Sequence, residues 1–233
     1  MEPSPGPAEF DGYASDYEAL LRDPIRDTFA ASRSFFFERK LHVIRRFYYR
    51  RGIDARGLDW LDVGCGQGEL LRLGRTHFRS VAGCDVSEGM LKHCADLQVR
   101  RQLSPRELPY PDCVFDLVTA VCVYHHIPDT DRSAFTAEVL RLLRPGGMFS
   151  IIEHNPFNPA TQLIVARTPV DADAQLLMAR RAASLMSTAG ARVVETRYFL
   201  YFPQRLYRYL SGLEERLSST PVGGQYAVFA TKL

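Results

Sequence analysis

The chain has 233 residues, of which 46% are hydrophobic and 24% charged, and these values are typical of a globular protein with one sizeable core. The formal net charge of +2 gives no electrostatic basis for binding nucleic acid, and five cysteines without C-x-x-C spacing predict neither a disulfide framework nor a metal site. No apolar run reaches the length of a membrane span, and residues 1–8 lack the basic start and apolar centre of a signal peptide. We therefore expect a cytoplasmic protein without membrane insertion.

The N-terminal part is predicted to be a tail followed by helices. Residues 1–9 are rich in proline, which predicts disorder, and residues 10–57 are predicted to form a helical cap on a single domain that spans 10–233. Between residues 34 and 50, apolar side chains recur at spacings of four, three and four, which marks one face of a helix. This broad aromatic face either packs on a sheet or forms a wall around an apolar substrate, and packing is the favoured use.

The pattern around which the chain is organised is W-L-D-V-G-C-G-Q-G-E at residues 60–69. An apolar strand enters three glycines at every second position, Gly64, Gly66 and Gly68, and a periodic apolar segment follows. Glycine tolerates positive φ and lets a ligand lie against bare backbone. About twenty residues later a second strand ends at Asp85, where the acid of a doubly wound sheet reaches the ribose hydroxyls of a nucleoside. Glycine loop and acid together predict one nucleoside site.

The even spacing of the glycines differs from the G-x-G-x-x-G of dinucleotide-binding folds. With Asp62 two residues before the first glycine, D-V-G-C-G-Q-G resembles motif I of the class I S-adenosylmethionine (SAM) methyltransferases of the small-molecule type. Further stretches resemble that family in its order, namely F-D-G-Y-A-S-D-Y-E at 10–18, L-P-Y-P-D at 108–112, F-D-L-V at 115–118, H-H-I at 125–127 and L-R-P-G-G at 143–147. The resemblance implies an α/β fold: a doubly wound, Rossmann-like, seven-stranded and mostly parallel sheet with an antiparallel last strand and helices on both faces.

The resemblance also implies SAM as cofactor, with S-adenosylhomocysteine as product, and assigns contacts residue by residue. The assigned positions are Tyr17, Asp62, Gly64, Cys65, Gly66, Gly68, Asp85, Val86, Met90, Ser104, Ala120 and Val121. Tyr17 would cover the methionine part or else act as an aromatic staple, and Met90 would adjoin the adenine or else belong to the core. Where the family often carries an aspartate for the adenine amino group, this chain has Ser104, whose hydroxyl or backbone could substitute.

The remaining elements follow from apolar runs and turn residues. Residues 58–155 are assigned to the cofactor-binding core and 156–233 to an acceptor loop and the last part of the sheet. The predicted strands after the second are 99–103, 115–123, 148–152, 192–202 and 225–231, and the predicted helices are 129–143, capped near Asp129, and 171–189. Residues 144–147 are predicted to form a turn, and the two Asn-Pro pairs at 155–159 to exclude an immediate helix.

Three histidines at predicted strand ends are the candidate catalytic residues, because a hydroxyl or ammonium acceptor must lose a proton and histidine can take it near neutral pH. His125 and His126 follow the fourth strand and His154 follows the fifth. Each could instead be a structural histidine. His154 is slightly favoured as a substrate contact because it opens the predicted acceptor loop.

The sequence therefore predicts a SAM-dependent methyltransferase that acts on a small molecule, with oxygen as the favoured acceptor atom, and no nucleic-acid partner. One alternative is a nucleic-acid methyltransferase, suggested by Asn155-Pro156-Phe157, although this tripeptide follows the fifth strand and lacks a second proline. Another is a SAM-binding protein of the same fold without turnover. The acceptor and the oligomeric state stay open.

Overall fold

The computed structural model describes residues 7–233, and a seven-stranded sheet forms its centre. The strands are β1 Asp59–Val63, β2 Ser80–Asp85, β3 Gln98–Arg101, β4 Phe115–Val121, β5 Leu143–His154, β6 Ala191–Phe199 and β7 Gln225–Lys232. They lie in the order β3-β2-β1-β4-β5-β7-β6, with β1 to β5 parallel and β7 antiparallel to both of its neighbours. The predicted mixed sheet with an antiparallel last strand is confirmed.

Helices cover both faces of this sheet. They are α1 Pro7–Tyr13, α2 Tyr17–Leu20, α3 Pro24–Phe29, α4 Ser34–Tyr49, α5 Glu69–Gly74, α6 Glu88–Leu91, α7 Asp129–Leu142, α8 Pro159–Arg167, α9 Ala179–Thr188 and α10 Gln204–Leu217. Successive residues of a strand point to opposite faces, so Trp60 packs with α4 and α5 while Leu61 packs with α7 and α9. Throughout residues 7–233, no helix combines the length and the apolar character that crossing a membrane requires.

The N-terminal helices are held against the carboxyl end of the sheet. The Asp11 carboxylate of α1 accepts hydrogen bonds from the Ser87 hydroxyl at 2.7 Å and from the Gly89 N–H at 2.8 Å, at the start of α6. Of the tail predicted to be disordered, residues 1–6 lie outside the described residues, and α1 begins within that tail at Pro7.

Of two predictions about helix starts, one agrees with the structure and one is wrong. No helix follows β5 immediately, since residues 155–158 are not helical, and α8 begins only at Pro159. Asn158 is the N-cap of α8 and its side chain accepts from the Thr161 N–H at 2.9 Å. The helix predicted at 171–189 begins only at Ala179. The backbone before it is hydrogen-bonded to another segment, since the Gln175 N–H donates to the His125 carbonyl at 2.8 Å.

The junction between α7 and β5 also differs from the prediction. Residues 144–147, expected to be a turn, lie within β5. This strand begins at Leu143, which pairs with Phe115 of β4 before a register shift.

Two further differences concern α7 and α10. The N-cap of α7 is Pro128, so Asp129 is the first helical residue and makes no capping bond. Finally, α10 lies between β6 and β7, where the sequence analysis predicted no element.

Candidate active site

A cavity of about 580 Å³ opens at the carboxyl ends of β1, β2, β4 and β5. Strand order reverses between β1 and β4, and open α/β sheets bind ligands at such a switch point. The volume lies within the range of sites that bury a small organic ligand. Side chains from the N-terminal helices, including Phe10 of α1 and Tyr17 of α2, complete the wall opposite the sheet.

The loop after β1 presents bare backbone to this cavity. Gly64, Gly66 and Gly68 have φ values of 72°, 54° and 79°, in the left-handed region that side chains disfavour. The loop is tied to β2, because the N–H groups of Gly64 and Cys65 both donate to the Cys84 carbonyl, at 2.7 and 3.0 Å. A methyl group added at Gly66 would meet no protein atom within 4 Å. The Gly66 position is therefore open to a ligand.

Asp85 ends β2 beside this loop. Its buried carboxylate accepts hydrogen bonds from the Gly66 N–H at 2.8 Å and from the Ser87 N–H at 2.9 Å. Burial raises the pKa of Asp85, while these backbone donors oppose the rise. The glycine loop and the acid thus share one cavity.

Asp62 lies beneath the loop in a buried hydrogen-bonded chain. The Trp60 indole N–H donates to the Thr119 hydroxyl at 2.8 Å, and that hydroxyl donates to the Asp62 carboxylate at 2.5 Å. Burial raises the pKa of Asp62 to about 7, and the hydrogen bond from Thr119 opposes the rise. Near neutral pH this carboxyl group can therefore exchange a proton.

A histidine cluster occupies the opposite end of the cavity. The His125 Nδ1 lies 2.6 Å from the Oε2 of Glu153, and the Oε1 of the same carboxylate accepts from the N–H groups of Val123 and Tyr124. The Nε2 atoms of His125 and His126 each lie 3.5 Å from the Asp171 Oδ1. His154, at the end of β5, places its ring centroid 5.4 Å from that of His125.

Residues 61–151 match the family model described as a methyltransferase domain. The chain belongs to the class I SAM-dependent methyltransferase superfamily. It is 31% identical over 172 residues to a probable S-adenosylmethionine-dependent methyltransferase of Mycolicibacterium smegmatis, covering 71% of this chain and 63% of that protein. It is 35% identical over 101 residues to 27-O-demethylrifamycin SV methyltransferase of Amycolatopsis mediterranei, covering 39% of this chain and 36% of that protein. The chain thus spans less than two thirds of the length of either relative.

A solved structure supports the same fold. A SAM-dependent methyltransferase from Thermotoga maritima, described as a possible histamine N-methyltransferase, superposes with a TM-score of 0.66 over 96% of this chain and 98% of that chain. The two sequences are 15% identical, so this likeness concerns the fold alone. SAM is the cofactor that membership of the superfamily implies.

Ten of the twelve residues assigned to the cofactor line the cavity, as do all three candidate histidines. The two exceptions are Gly68 and Ala120. Gly68 is the N-cap of α5, and an added Cβ would lie 2.4 Å from the Leu97 side chain, so its backbone faces the core. Ala120 points into the sheet core on the face that packs against α7. Ser104, the residue in place of the usual aspartate, does line the cavity.

The sequence analysis missed two cations on the cavity wall. Lys40 of α4 is buried there, with its ammonium 4.9 Å from the Phe37 ring centroid. Arg33 lies over the Tyr17 ring at 5.5 Å, and its guanidinium is 3.1 Å from Glu69. A lysine on the apolar face of a predicted helix is the signal that could have identified Lys40.

Charges and burial shift the pKa values of His125 and His126 in opposite directions. Burial alone would lower the pKa of His125, but Glu153 and Asp171 outweigh it and hold that pKa well above its usual value. Burial, and then the charge of His125, lowers the pKa of His126 to about 3. His154 lies near an amide, with its Nδ1 3.5 Å from the Gln225 Nε2.

Cys122 sits between the two ends of the cavity. Its backbone has φ of 56°, and the Gln225 amide donates to its sulfur at 3.5 Å. Burial opposes ionisation of this thiol, but Lys40 and His154 outweigh burial and lower its pKa to about 7. The sequence analysis also missed Cys122 and Asp171 as cavity residues, because neither belongs to a recognisable motif. Only the fold brings them to the cavity.

Proposed function

We propose that this protein transfers the methyl group of SAM to an oxygen atom of a small molecule. The observation that carries the proposal is the shared cavity, in which the open backbone of Gly66 lies beside Asp85 at one end and histidines lie at the other. From β2 to β5 there are three strand spacings, about 14 Å in all. This span accommodates an extended cofactor with an acceptor beyond it.

SAM would lie along the ends of β2, β1 and β4. Its ribose hydroxyls would bind Asp85, and its adenine would lie between Met90 and Ser104. Its carboxylate would meet the cations Arg33 and Lys40. The sulfonium and its methyl group would then point towards the ends of β4 and β5.

The acceptor end of the cavity is apolar on one side and polar on the other. The apolar side consists of side chains from the N-terminal helices and α8, namely Leu21, Ile25, Phe29, Phe36, Phe37 and Ile164. The polar side contains the histidines. A small molecule with an aromatic or aliphatic body and a hydroxyl group complements both sides.

Methyl transfer at such a site needs little beyond orientation and removal of one proton. The acceptor oxygen would attack the methyl carbon on the side opposite sulfur, so that the O–C bond forms as the S–C bond breaks. The hydroxyl proton would pass to His154, whose ring lines the cavity and, within the described part of the chain, has no carboxylate in hydrogen-bond contact. S-adenosylhomocysteine and the methyl ether would be the products.

One relative supports oxygen and a small acceptor. The name of the Amycolatopsis mediterranei protein describes a methyltransferase of a 27-O-demethyl compound. Its sequence covers 39% of this chain, so the acceptor itself is not carried over.

Calorimetric titration with S-adenosylhomocysteine tests the cofactor, and transfer of labelled methyl from SAM to a panel of phenols, hydroxy acids, amines and total tRNA tests the acceptor. We expect micromolar binding and label in a hydroxyl compound. Absence of binding at high micromolar ligand would overturn the whole proposal. Label in tRNA would instead identify a nucleic-acid methyltransferase, and bound SAM that no acceptor consumes would identify a binding protein without turnover.

A further inference from the structure

Three potential metal ligands converge at the histidine end of the cavity. They are the Nε2 atoms of His125 and His126 and a carboxylate oxygen of Asp171, and all three atoms lie within 4.8 Å of one another. The histidines belong to the turn Tyr124–His126 after β4, and the aspartate belongs to the turn Pro169–Asp171 after α8. Two distant segments thus bring these atoms together.

The surroundings of His125 orient its Nε2 towards this point. Its other ring nitrogen, Nδ1, is bound to Glu153 at 2.6 Å, and Glu153 is itself fully buried and held by two backbone N–H groups. A carboxylate behind an imidazole fixes the ring orientation and raises its basicity, as it does for histidines that bind metal ions. The ring of His126 is held by Phe10, with centroids 5.1 Å apart.

The spacing suits a transition-metal ion. Bonds of about 2.1 Å at tetrahedral angles separate neighbouring ligand atoms by about 3.4 Å. Both histidines have their Nε2 3.5 Å from the same Asp171 oxygen. Two of the three separations therefore match, and the third, between the two nitrogens, is at most 4.8 Å.

We propose that His125, His126 and Asp171 bind one divalent transition-metal ion, such as Zn²⁺, whose open coordination position faces the methyl acceptor. Two imidazoles and one carboxylate are a donor set typical of Zn²⁺ and Fe²⁺ sites that keep a position for substrate. The cavity wall supplies that position, since all three residues line it. The role of the ion towards the acceptor rests on the proposed function, whereas ion binding does not.

This site differs from the expectation of no metal, which was based on cysteine spacing. An ion here would bind the acceptor oxygen next to the transferred methyl group and would leave His154 free to take the proton. It would also favour acceptors that offer an oxygen donor over amines.

Equilibrium dialysis of the full chain against Zn²⁺ or Co²⁺ tests the site. Metal content is measured by mass spectrometry, and the Co²⁺ protein is also measured by visible absorption. We expect one ion per chain and Co²⁺ bands of a four- or five-coordinate site. Asp171→Ala and His126→Ala should each weaken binding at least tenfold, whereas His93→Ala, which removes an exposed histidine outside the cavity, should not.

S-adenosylhomocysteine titration of the same variants separates loss of the ion from loss of the fold. Asp85 follows β2 and the two histidines follow β4, two strand spacings or about 10 Å away, so the affinity for S-adenosylhomocysteine should persist in both variants. Wild-type protein that binds S-adenosylhomocysteine but takes up no stoichiometric ion would overturn the metal site alone. Ion binding that survives both variants would overturn it as well. Ion binding without S-adenosylhomocysteine binding would overturn the proposed function and keep the metal site.

Discussion

The backbone N–H of Gly66 donates to the carboxylate of Asp85 at 2.8 Å. This hydrogen bond connects the loop after β1 to the end of β2, and Asp85 is also the residue proposed to bind the ribose. Only one oxygen of Asp85 takes part in this bond, and the other accepts from the Ser87 N–H. The same carboxylate therefore supports the loop and lines the cavity. A substitution that tests the cofactor site must separate these two effects.

Gly66→Val should abolish cofactor binding with little loss of fold. The added side chain enters open space in the cavity, where it would occupy the place of the ligand. Its cost to folding should be the strain of a side chain at positive φ, about 1–2 kcal/mol. Calorimetry with S-adenosylhomocysteine should show affinity reduced more than a hundredfold.

Gly52→Val is the matched control for this substitution. Gly52 also has positive φ, of 68°, and open space around its Cβ position, but it lies in the exposed turn after α4. It should show a similar loss of stability and unchanged affinity. Equal loss of affinity in both variants would mean that strain, and not occupation of the cavity, weakens binding.

Asp62 should make the protein less stable as pH rises from 4 to 7. Burial raises its pKa from 3.8 to about 7 in the folded state, so the folded protein holds a proton that the unfolded chain has released. The free energy of unfolding should therefore fall by up to about 1.4 kcal/mol per pH unit in this window because of Asp62. Urea unfolding of Asp62→Asn between pH 4 and 7 should show a flatter dependence.

Asp59→Asn provides a control of opposite sign. Hydrogen bonds from Arg79 lower the pKa of Asp59, so this carboxylate stabilises the fold above the ordinary pKa of an aspartate, and that stability is lost as pH falls. Its substitution should reduce the loss of stability at acid pH and leave the slope between pH 5 and 7 unchanged. An unaltered slope in Asp62→Asn would show that Asp62 is ionised in the folded protein.

The sequence predicted the part of the fold in which local pattern and tertiary packing agree. The strands β1, β2 and β4 and the second half of β5 are apolar runs, and most of the cavity residues follow from the ends of these strands. Gly66 and Asp85 were placed together because parallel strands meet at one edge. That inference required no knowledge of distant contacts.

The missed features depend on distant contacts. Helix α10 has leucines at helical spacing, Leu206, Leu210, Leu213 and Leu217, but its one buried side chain is the charged Glu214, and Leu206 and Leu213 are exposed. Its apolar stripe therefore does not mark its packing face. Asp171 was expected to begin a helix, but the backbone of Gln175 instead binds His125, in the turn after β4, and Arg132 of α7. Hydrophobic periodicity can indicate that α10 is a helix, but it predicts neither the packing of α10 nor the position of Asp171.

The buried ion pair between Arg39 of α4 and Glu214 of α10 should dominate the docking of α10. The two side chains are 6% and 4% exposed. Glu214→Ala would leave the guanidinium buried without its partner, which should lower the free energy of unfolding by about 3–5 kcal/mol. Urea denaturation measures this loss, and Arg39→Leu combined with Glu214→Leu should recover much of it.

Glu215→Ala is the neighbouring control. Glu215 also pairs with arginines, Arg50 and Arg197, but its side chain is 35% exposed. Its removal should cost about 1 kcal/mol or less, because water screens such pairs. Similar losses of unfolding free energy in the Glu214 and Glu215 variants would mean that burial does not increase the contribution of the Arg39–Glu214 pair to stability.

His154→Gln should slow methyl transfer without weakening the cofactor. His154 stands at the end of β5 on the acceptor side of the cavity, so the loss should appear in kcat as about a hundredfold to ten-thousandfold decrease, which is the range for a general base. The affinity for S-adenosylhomocysteine should stay within about twofold of wild type, since the variant keeps a polar side chain near Gln225. Single-turnover rates with the acceptor found in the labelling panel measure the chemical step directly. His93→Ala should match wild type in both measurements, and a His154 variant that retains the wild-type single-turnover rate would remove His154 from the role of base.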